Sequence, residues 1–475
     1  LALVLTGGLT YLLNRPLPVG ERSLPALGPL LSPFTGFWQN GAFASDMEDG
    51  SLEIPGLLSE VTVAYDDRLV PHIYADNLQD VYFTQGYVEA KHRLWQMDMV
   101  ARSTGGRLAE VLGPSILERD QLQRRKGLRW AAENMIKEWE THTYEMEMLE
   151  AYINGINAYI SSLSPSEYPL EYKILGFAPE PWTVLKSALV SKSMALTLCA
   201  REDDIQSTNT IDLLGLEQYD YLFPHHNQRQ RPIIPQDSPW NTGYADSLVL
   251  PADIPASYGL QGSLPFEPLE YPDENIGSNN WAVSGARTAS GAPILCNDPH
   301  LNLTLPSIWH EAHLHTPDCN VYGVSLLGIP AIIIGFNQDI AWGITNSGHD
   351  VSDWYQIEWA DAEKTMYKFA GENRPVEYLM DTFYVKGQAP VIQETPLTHL
   401  GPVVYQDESE QSGAMVLRWI AHPQPDDFDL KTFIKLNRAK NYDEYRAALS
   451  HFNNPAQNFV FASREGDIAI SVGGR

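Results

Sequence analysis

A proline-dense stretch divides this chain and limits what each side of it can fold into. Between Phe223 and Glu274 stand Pro224, Pro232, Pro235, Pro239, Pro251, Pro255, Pro265, Pro268 and Pro272. Each removes a backbone donor and fixes φ, so neither a long helix nor an interior strand can run through the segment. It is expected to be a spacer. Before it the pattern is helical: Phe83, Tyr87, Ala90, Leu94, Met97 and Ala101 recur at alternating steps of four and three, and Gly105-Gly106 supplies an end. After it the pattern becomes strand and turn.

Glu60 to Tyr65 alternates like a strand, and Asp66-Asp67 offers a turn before an extended Val70 to Tyr74. Further helices are expected over Leu128 to Ser162 and Thr183 to Leu198. Beyond the spacer, strands are expected at Asn280 to Val283 and Ile294 to Cys296. Later ones are expected at Ala331 to Ile334 and Ile340 to Ile344, joined across Gly335-Phe336-Asn337-Gln338. Pro16 to about Gly56, rich in Pro, Gly and Ser, reads as a linker. Four regions result: 1–55 as an apolar leader and linker, 56–224 helix-rich, 225–277 the spacer, and 278–475 strand-rich.

With 475 residues, 44% of them hydrophobic, the chain has material for a large core. Its 60 acidic against 32 basic residues give a formal charge of -28, which repels phosphate backbones and anionic lipid, so nucleic acid is excluded as a partner class. Cys199, Cys296 and Cys319 form no CxxC pair and are expected to be buried thiols. The apolar run Leu1 to Leu13 resembles the remnant of a signal peptide or amino-terminal anchor, with an ordinary apolar segment as the alternative. Export to the periplasm, or anchoring there, is therefore expected, with no integral membrane domain beyond that run.

The spacer leads directly into Ile276-Gly277-Ser278-Asn279-Asn280-Trp281. Gly-Ser-Asn is a common turn tripeptide, but here a strand pattern follows it, which places Ser278 at the exposed start of a strand. Gly277 would permit unusual backbone geometry beside an attacking hydroxyl.

Several spaced motifs in one order give the chain a resemblance to the penicillin acylase family of amino-terminal-nucleophile hydrolases. In the first half these are Val70-Pro71-His72-Ile73-Tyr74-Ala75, Gln85-Gly86-Tyr87, Arg93-Leu94-Trp95-Gln96-Met97-Asp98 and Gly106-Arg107-Leu108-Ala109-Glu110. In the second they are Gly277-Ser278-Asn279-Asn280-Trp281, Asn297-Asp298-Pro299-His300-Leu301, Gly335-Phe336-Asn337, Ala341-Trp342-Gly343 and Asp350-Val351-Ser352-Asp353. The resemblance implies an α+β fold, a four-layer αββα sandwich with two antiparallel sheets between helical layers. It also implies a precursor cut between Gly277 and Ser278 into alpha and beta subunits with the spacer partly excised. The activity implied is hydrolysis of a small-molecule N-acyl amide such as a β-lactam antibiotic side chain, or, alternatively, of an acyl homoserine lactone.

The same resemblance assigns roles. Ser278 is the nucleophile; a freed α-amine, with a pKa of about 8, accepts its proton and so replaces a histidine base. Asn346 matches the residue whose backbone N–H serves the oxyanion hole, and His300 a position that orients the terminal amine or a hydroxyl; a satisfied core histidine is its other reading. Asp350, Asp353 and the Ser352 carbonyl match calcium ligands, joined by Asp204 from the first half, although an acid cluster is also a common solvated face. Met194, Leu198, Leu301 and Ile334 match the acyl pocket, where their aliphatic character points to an alkyl chain; their other reading is ordinary core. Members of the family supply a side-chain oxyanion donor and further calcium ligands from sequence beyond Arg475, so the chain is expected to be truncated at both ends. Leu400, in Thr398-His399-Leu400-Gly401-Pro402, stands where members commonly carry histidine.

Other classes remain open at this point. His310-Glu311-Ala312-His313-Leu314-His315 suggests a zinc hydrolase, but its spacing is not the helical HExxH; in a strand His313 and His315 would share a face. Asp98 and Glu110 suggest a glycosidase pair, yet both fall in helical or helix-end contexts, and the resemblance implies packing or ion-pair roles for them. A noncatalytic exported binding protein with the same fold is a further possibility.

Overall fold

A computed structural model describes residues 1–19, 22–42, 50–200, 203–224, 277–406, 414–423 and 428–474. Apart from Gly277, the spacer expected over 225–277 lies outside the described residues.

Strands β1 (Thr62–Tyr65) and β2 (Pro71–Tyr74) precede the long helix α1 (Leu78–Thr104). Asn77 starts α1: its side chain accepts from the Asp80 N–H, while the Asp80 carboxylate accepts from the N–H groups of Leu58 and Ser59. Gly106, at φ +59, takes the chain out of the helix in a conformation that favours glycine. Then come α2 (Leu128–Trp139), α3 (Thr143–Ser162), α4 (Val184–Cys199) and α5 (Asp203–Leu214). Helices α1 and α3 approach closely enough that a Cβ on Gly155 would stand 1.8 Å from the Phe83 carbonyl oxygen, and one on Gly86 2.1 Å from that of Tyr152. Only glycine fits at either crossing point.

The second half opens with the hairpin β3 (Asn279–Val283) and β4 (Ile294–Asp298), followed by β5 (Trp309–Thr316), β6 (Cys319–Leu326), β7 (Ile334–Asn337) and β8 (Ile340–Asn346). After β9 (Ser352–Trp359) and β10 (Ala414–Trp419) come helix α6 (Asp429–Leu436) and strands β11 (Gln457–Ser463) and β12 (Ile468–Gly473). The main sheet has eight strands in the order β12-β11-β8-β7-β6-β5-β2-β1. Its pairings are antiparallel except β2 on β5. The architecture is α+β, but the two halves are not separate: β1 and β2 from the helix-rich half complete a sheet built in the strand-rich half. One core runs through both, with Leu94, Met97, Leu149 and Leu189 packed in the same cluster as Leu314, Val321, Trp342 and Phe459. Burial of such side chains is worth about 1.5–3 kcal/mol each, before conformational entropy is subtracted, so this shared core opposes separation of the halves.

One strand lies elsewhere than expected. Residues Ala331 to Ile333 are not a strand; β7 starts at Ile334 and includes Gly335, Phe336 and Asn337, which had been assigned to the turn. The turn falls later because Asn337 Oδ1 accepts from the N–H groups of Asp339 and Ile340, both at 2.9 Å. Of the three thiols, Cys199 and Cys319 are buried and Cys296 only partly so. The apolar helix Ala2–Leu13 is largely exposed, and among the described residues no helix is long and apolar enough to cross a membrane.

Candidate active site

Ser278 immediately precedes β3, at the open end of the β3–β4 hairpin, where Asn279 pairs with Asp298. Its Oγ accepts a hydrogen bond from the backbone N–H of His300 at 3.1 Å. The His300 imidazole is turned the other way, with Nε2 2.6 Å from Asp298 Oδ2. The expected partnership of His300 with the hydroxyl is thus made by its main chain and not its ring. A Cβ at Gly277 would meet nothing within 4 Å, so no close contact accounts for a glycine there.

Three asparagines fix the hairpin to the main sheet. Asn297 Oδ1 accepts from the Ile344 N–H at 3.0 Å, and its Nδ2 donates to the Ile344 carbonyl at 3.0 Å and to the Asn279 carbonyl at 3.3 Å. A Cβ on Gly343 would stand 2.6 Å from the Asn297 Cβ, so this close approach of β4 to β8 needs both residues. Asn280 Nδ2 donates to the Asn458 carbonyl at 3.0 Å, and Asn458 Nδ2 donates to the Asn346 carbonyl at 3.2 Å. Sequence reasoning assigned no role to Asn280, Asn297 or Asn458. Their signal was an amide beside the serine, or beside a tight strand, where a buried main chain needs partners.

These bonds place Ser278 on the wall of a narrow cavity of about 100 Å3 that Asn346 also lines. Met194, Leu198, Leu301 and Ile334 all line it, so the four expected acyl-pocket residues, drawn from both halves, meet around the serine. Met194 and Leu198 are one turn apart on α4. Asn346 Nδ2 donates to the Leu198 carbonyl at 3.0 Å and ties the end of β8 to that helix. The wall is not purely aliphatic: Trp139, Trp309, Phe433 and Phe452 line it too. They were missed because they lie far apart in sequence, on elements whose apolar positions read as core. A larger cleft of about 900 Å3 contains none of the expected site residues. Its arginines are already engaged, Arg124 by Asp381, Arg107 by Glu110 and Glu180, and Arg129 by Glu133. The smaller cavity is the one that brings Ser278 against mostly apolar walls.

Asp350 and Asp353 are exposed on either side of the buried Ser352 at the start of β9. Asp204 is exposed near the start of α5, and its neighbour Ile205 is buried in the cluster against which Val351 and Trp354 pack. The acids are thereby brought to one region. Among the described residues, however, no group of three or more His, Cys, Asp or Glu side chains converges closely enough to hold a metal ion.

The competing motifs resolve structurally. Asp98 and Glu110 both pair with Arg102, at 3.0 and 2.8 Å, and Glu110 also pairs with Arg107 at 2.7 Å. They form an ion network and not an acid pair. His310 to His315 lie on strand β5, with His310 buried and His313 and His315 on the opposite face.

Residues 60–475 match the sequence profile of the family described as penicillin amidase. A penicillin acylase 2 proenzyme of Pseudomonas sp. strain SE83 is 31% identical over 89% of this chain and 53% of its own length. The acyl-homoserine lactone acylase QuiP of Pseudomonas aeruginosa is 28% identical over 92% of this chain and 52% of its own. The penicillin G acylase of Escherichia coli is 25% identical over 82% and 50% respectively. A structure of penicillin G acylase from Alcaligenes faecalis aligns with a TM-score of 0.38 at 24% identity, over 41% of this chain and 35% of that one. The chain spans about half the length of the curated relatives it matches. On the profile match, which covers nearly all of the chain after the linker, the protein belongs to the penicillin amidase family.

Proposed function

We infer that the protein hydrolyses N-acyl amides through Ser278, which becomes an amino-terminal nucleophile when the chain is cut after Gly277. The observation that carries this reading is the placement of the Ser278 hydroxyl on the wall of a cavity lined by Met194, Leu198, Leu301, Ile334 and Asn346. A serine hydroxyl needs a base. No imidazole hydrogen-bonds to Ser278 Oγ among the described residues; the contact there is the His300 N–H, a donor, which can orient the oxygen but cannot take its proton. A free α-amine on the same residue, with a pKa of about 8, supplies the base and requires the cut. Attack on the amide carbonyl forms a tetrahedral oxyanion, which the Asn346 backbone N–H would stabilise. The amine leaves, and water releases the acid from the acyl-enzyme. Cleavage would yield two subunits that stay together through the shared sheet and core, and the expected four-layer sandwich accommodates this division.

The apolar cavity receives the acyl group. A quorum-signal acylase is the second reading, favoured by the aliphatic residues of that cavity and by relatives named acyl-homoserine lactone acylase. Asp204, Asp350, Asp353 and the Ser352 carbonyl offer the hard oxygen donors that calcium requires; bound there, the ion would brace β9 just beyond Asn346.

Sequencing the amino termini of the full-length protein tests the reading. A new terminus at Ser278, absent from Ser278→Ala, together with amide turnover only in the cut form, is expected. A single uncut chain with full turnover would overturn it.

A further inference from the structure

The main sheet joins its two halves at one parallel contact, β2 on β5, and there His72 pairs in register with His313. Both side chains are partly buried, and their Nδ1 atoms are 3.0 Å apart. On the far side of each ring lies an oxygen: Asn320 Oδ1 is 2.7 Å from His313 Nε2, and Asp66 Oδ2 is 3.8 Å from His72 Nε2. The Asn320 oxygen only accepts, so a neutral His313 carries its proton on Nε2 and presents a lone pair from Nδ1. Burial lowers the pKa of His313 and favours that neutral ring. Asp66 makes no hydrogen bond to His72 Nε2 at 3.8 Å, and its negative charge favours a proton on that nitrogen only through space. That carboxylate is itself fixed by the N–H groups of Arg68 and Val70, each at 2.9 Å. With His313 protonated on Nε2, the proton of the 3.0 Å contact sits on His72 Nδ1; moved to His72 Nε2, it would leave two inner lone pairs converging, the arrangement that supporting residues impose on metal-bound histidines.

We propose that His72 and His313 form a two-imidazole site for a divalent transition-metal ion, with copper(II) the best match, that staples β2 to β5. Metal–nitrogen bonds of about 2.0–2.1 Å put two adjacent nitrogens about 2.9 Å apart in a square-planar site and about 3.3 Å apart in a tetrahedral one. The hydrogen-bonded separation of 3.0 Å lies within reach of both, and copper(II) is preferred because it binds nitrogen donors more tightly than nickel or zinc. Entry of the ion needs no net release of protons: the His72 proton moves from Nδ1 to Nε2, toward Asp66, and both Nδ1 lone pairs then face the metal. Water completes the coordination, since among the described residues no third His, Cys, Asp or Glu side chain converges there. The other close pair, His92 and His310, also brings two ring nitrogens to 3.0 Å but lacks these features. His310 is buried and its Nδ1, 3.9 Å from Glu89 Oε1, has no hydrogen-bond partner, so no hydrogen bond at that nitrogen fixes its tautomer and there is little access for water. The proposed site does not depend on the Ser278 mechanism. His72 precedes Gly277 and His313 follows it, so the ion would also bridge the two subunits of a cut protein.

The test is titration of the full-length protein with copper(II) in excess calcium, followed by calorimetry and by electron paramagnetic resonance. One equivalent is expected, with two imidazole nitrogens bound in the spectrum. His72→Gln and His313→Gln should each weaken binding tenfold or more, and His310→Gln should bind as the wild type does. A wild-type spectrum without two bound imidazoles, or equal affinity in His72→Gln and His313→Gln, overturns the proposal. Should either variant fail to fold, the wild-type spectrum decides by itself.

Discussion

The backbone N–H of His300 donates to Ser278 Oγ at 3.1 Å while the ring of the same residue faces Asp298. The main chain is therefore the part of His300 that touches the hydroxyl. His300→Ala keeps that N–H, and its rate of cleavage after Gly277 should stay within a few-fold of wild type. His300→Pro removes the donor and should slow cleavage about tenfold or more, corresponding to about 1.4 kcal/mol. Mass spectrometry of a maturation time course checks this; an equal loss in both variants would assign the role to the ring.

Asn297 satisfies both backbone groups of Ile344 and so holds the serine hairpin on β8. Asn297→Ala would leave those buried groups without partners, at a cost of about 1–3 kcal/mol. Urea unfolding should show that loss, and maturation should slow because Ser278 is no longer held beside Asn346. Wild-type stability with wild-type processing would contradict the clamp.

The cavity beside Ser278 combines Met194, Leu198, Leu301 and Ile334 with four aromatic side chains. Flexible and branched walls should select an alkyl chain, whereas edge-to-face ring contacts would add roughly 0.5–1.5 kcal/mol for phenylacetyl. The expected order places hexanoyl, octanoyl or decanoyl amides above phenylacetyl in kcat/KM for one leaving amine. A clear phenylacetyl preference would transfer control of selectivity to Trp139, Trp309, Phe433 and Phe452.

Replacing Asp350 and Asp353 together by Ala should abolish calcium binding and impair maturation of the full-length protein. Metal analysis and gel mobility read both. Normal calcium content with normal processing would reject the site.

Glu89 is fully buried, and burial pushes its carboxyl from 4.5 up to about 7 although Ser325, Tyr152 and Gln85 hydrogen-bond to it. The folded state binds this proton more tightly than the unfolded chain does. The associated stability is complete below about pH 4.5 and is lost as pH rises through about 7. Glu89→Gln cannot ionise, so its Tm relative to wild type should rise between pH 5 and pH 8. A difference that stays flat, or falls, would show that Glu89 does not titrate in this way.

Local rules made the helices and hairpins readable from the sequence. Steps of four and three marked α1, alternation marked β1, and the prolines of 224–272 marked the division of the chain. Motif order pointed to Ser278, and the four apolar matches Met194, Leu198, Leu301 and Ile334 do converge on it. The turn at Asn337 was misplaced because its side chain, and not a glycine, closes it. Tertiary structure alone decided that β1 and β2 complete the second half's sheet, that the His300 main chain and not its ring meets Ser278 Oγ, that Asn280, Asn297 and Asn458 hold the hairpin, and that His72 meets His313. The physical reason is range. Helical and strand periods, turns and caps are set within a few residues, whereas these contacts join atoms far apart along the chain, and only the packed core brings them within hydrogen-bonding distance.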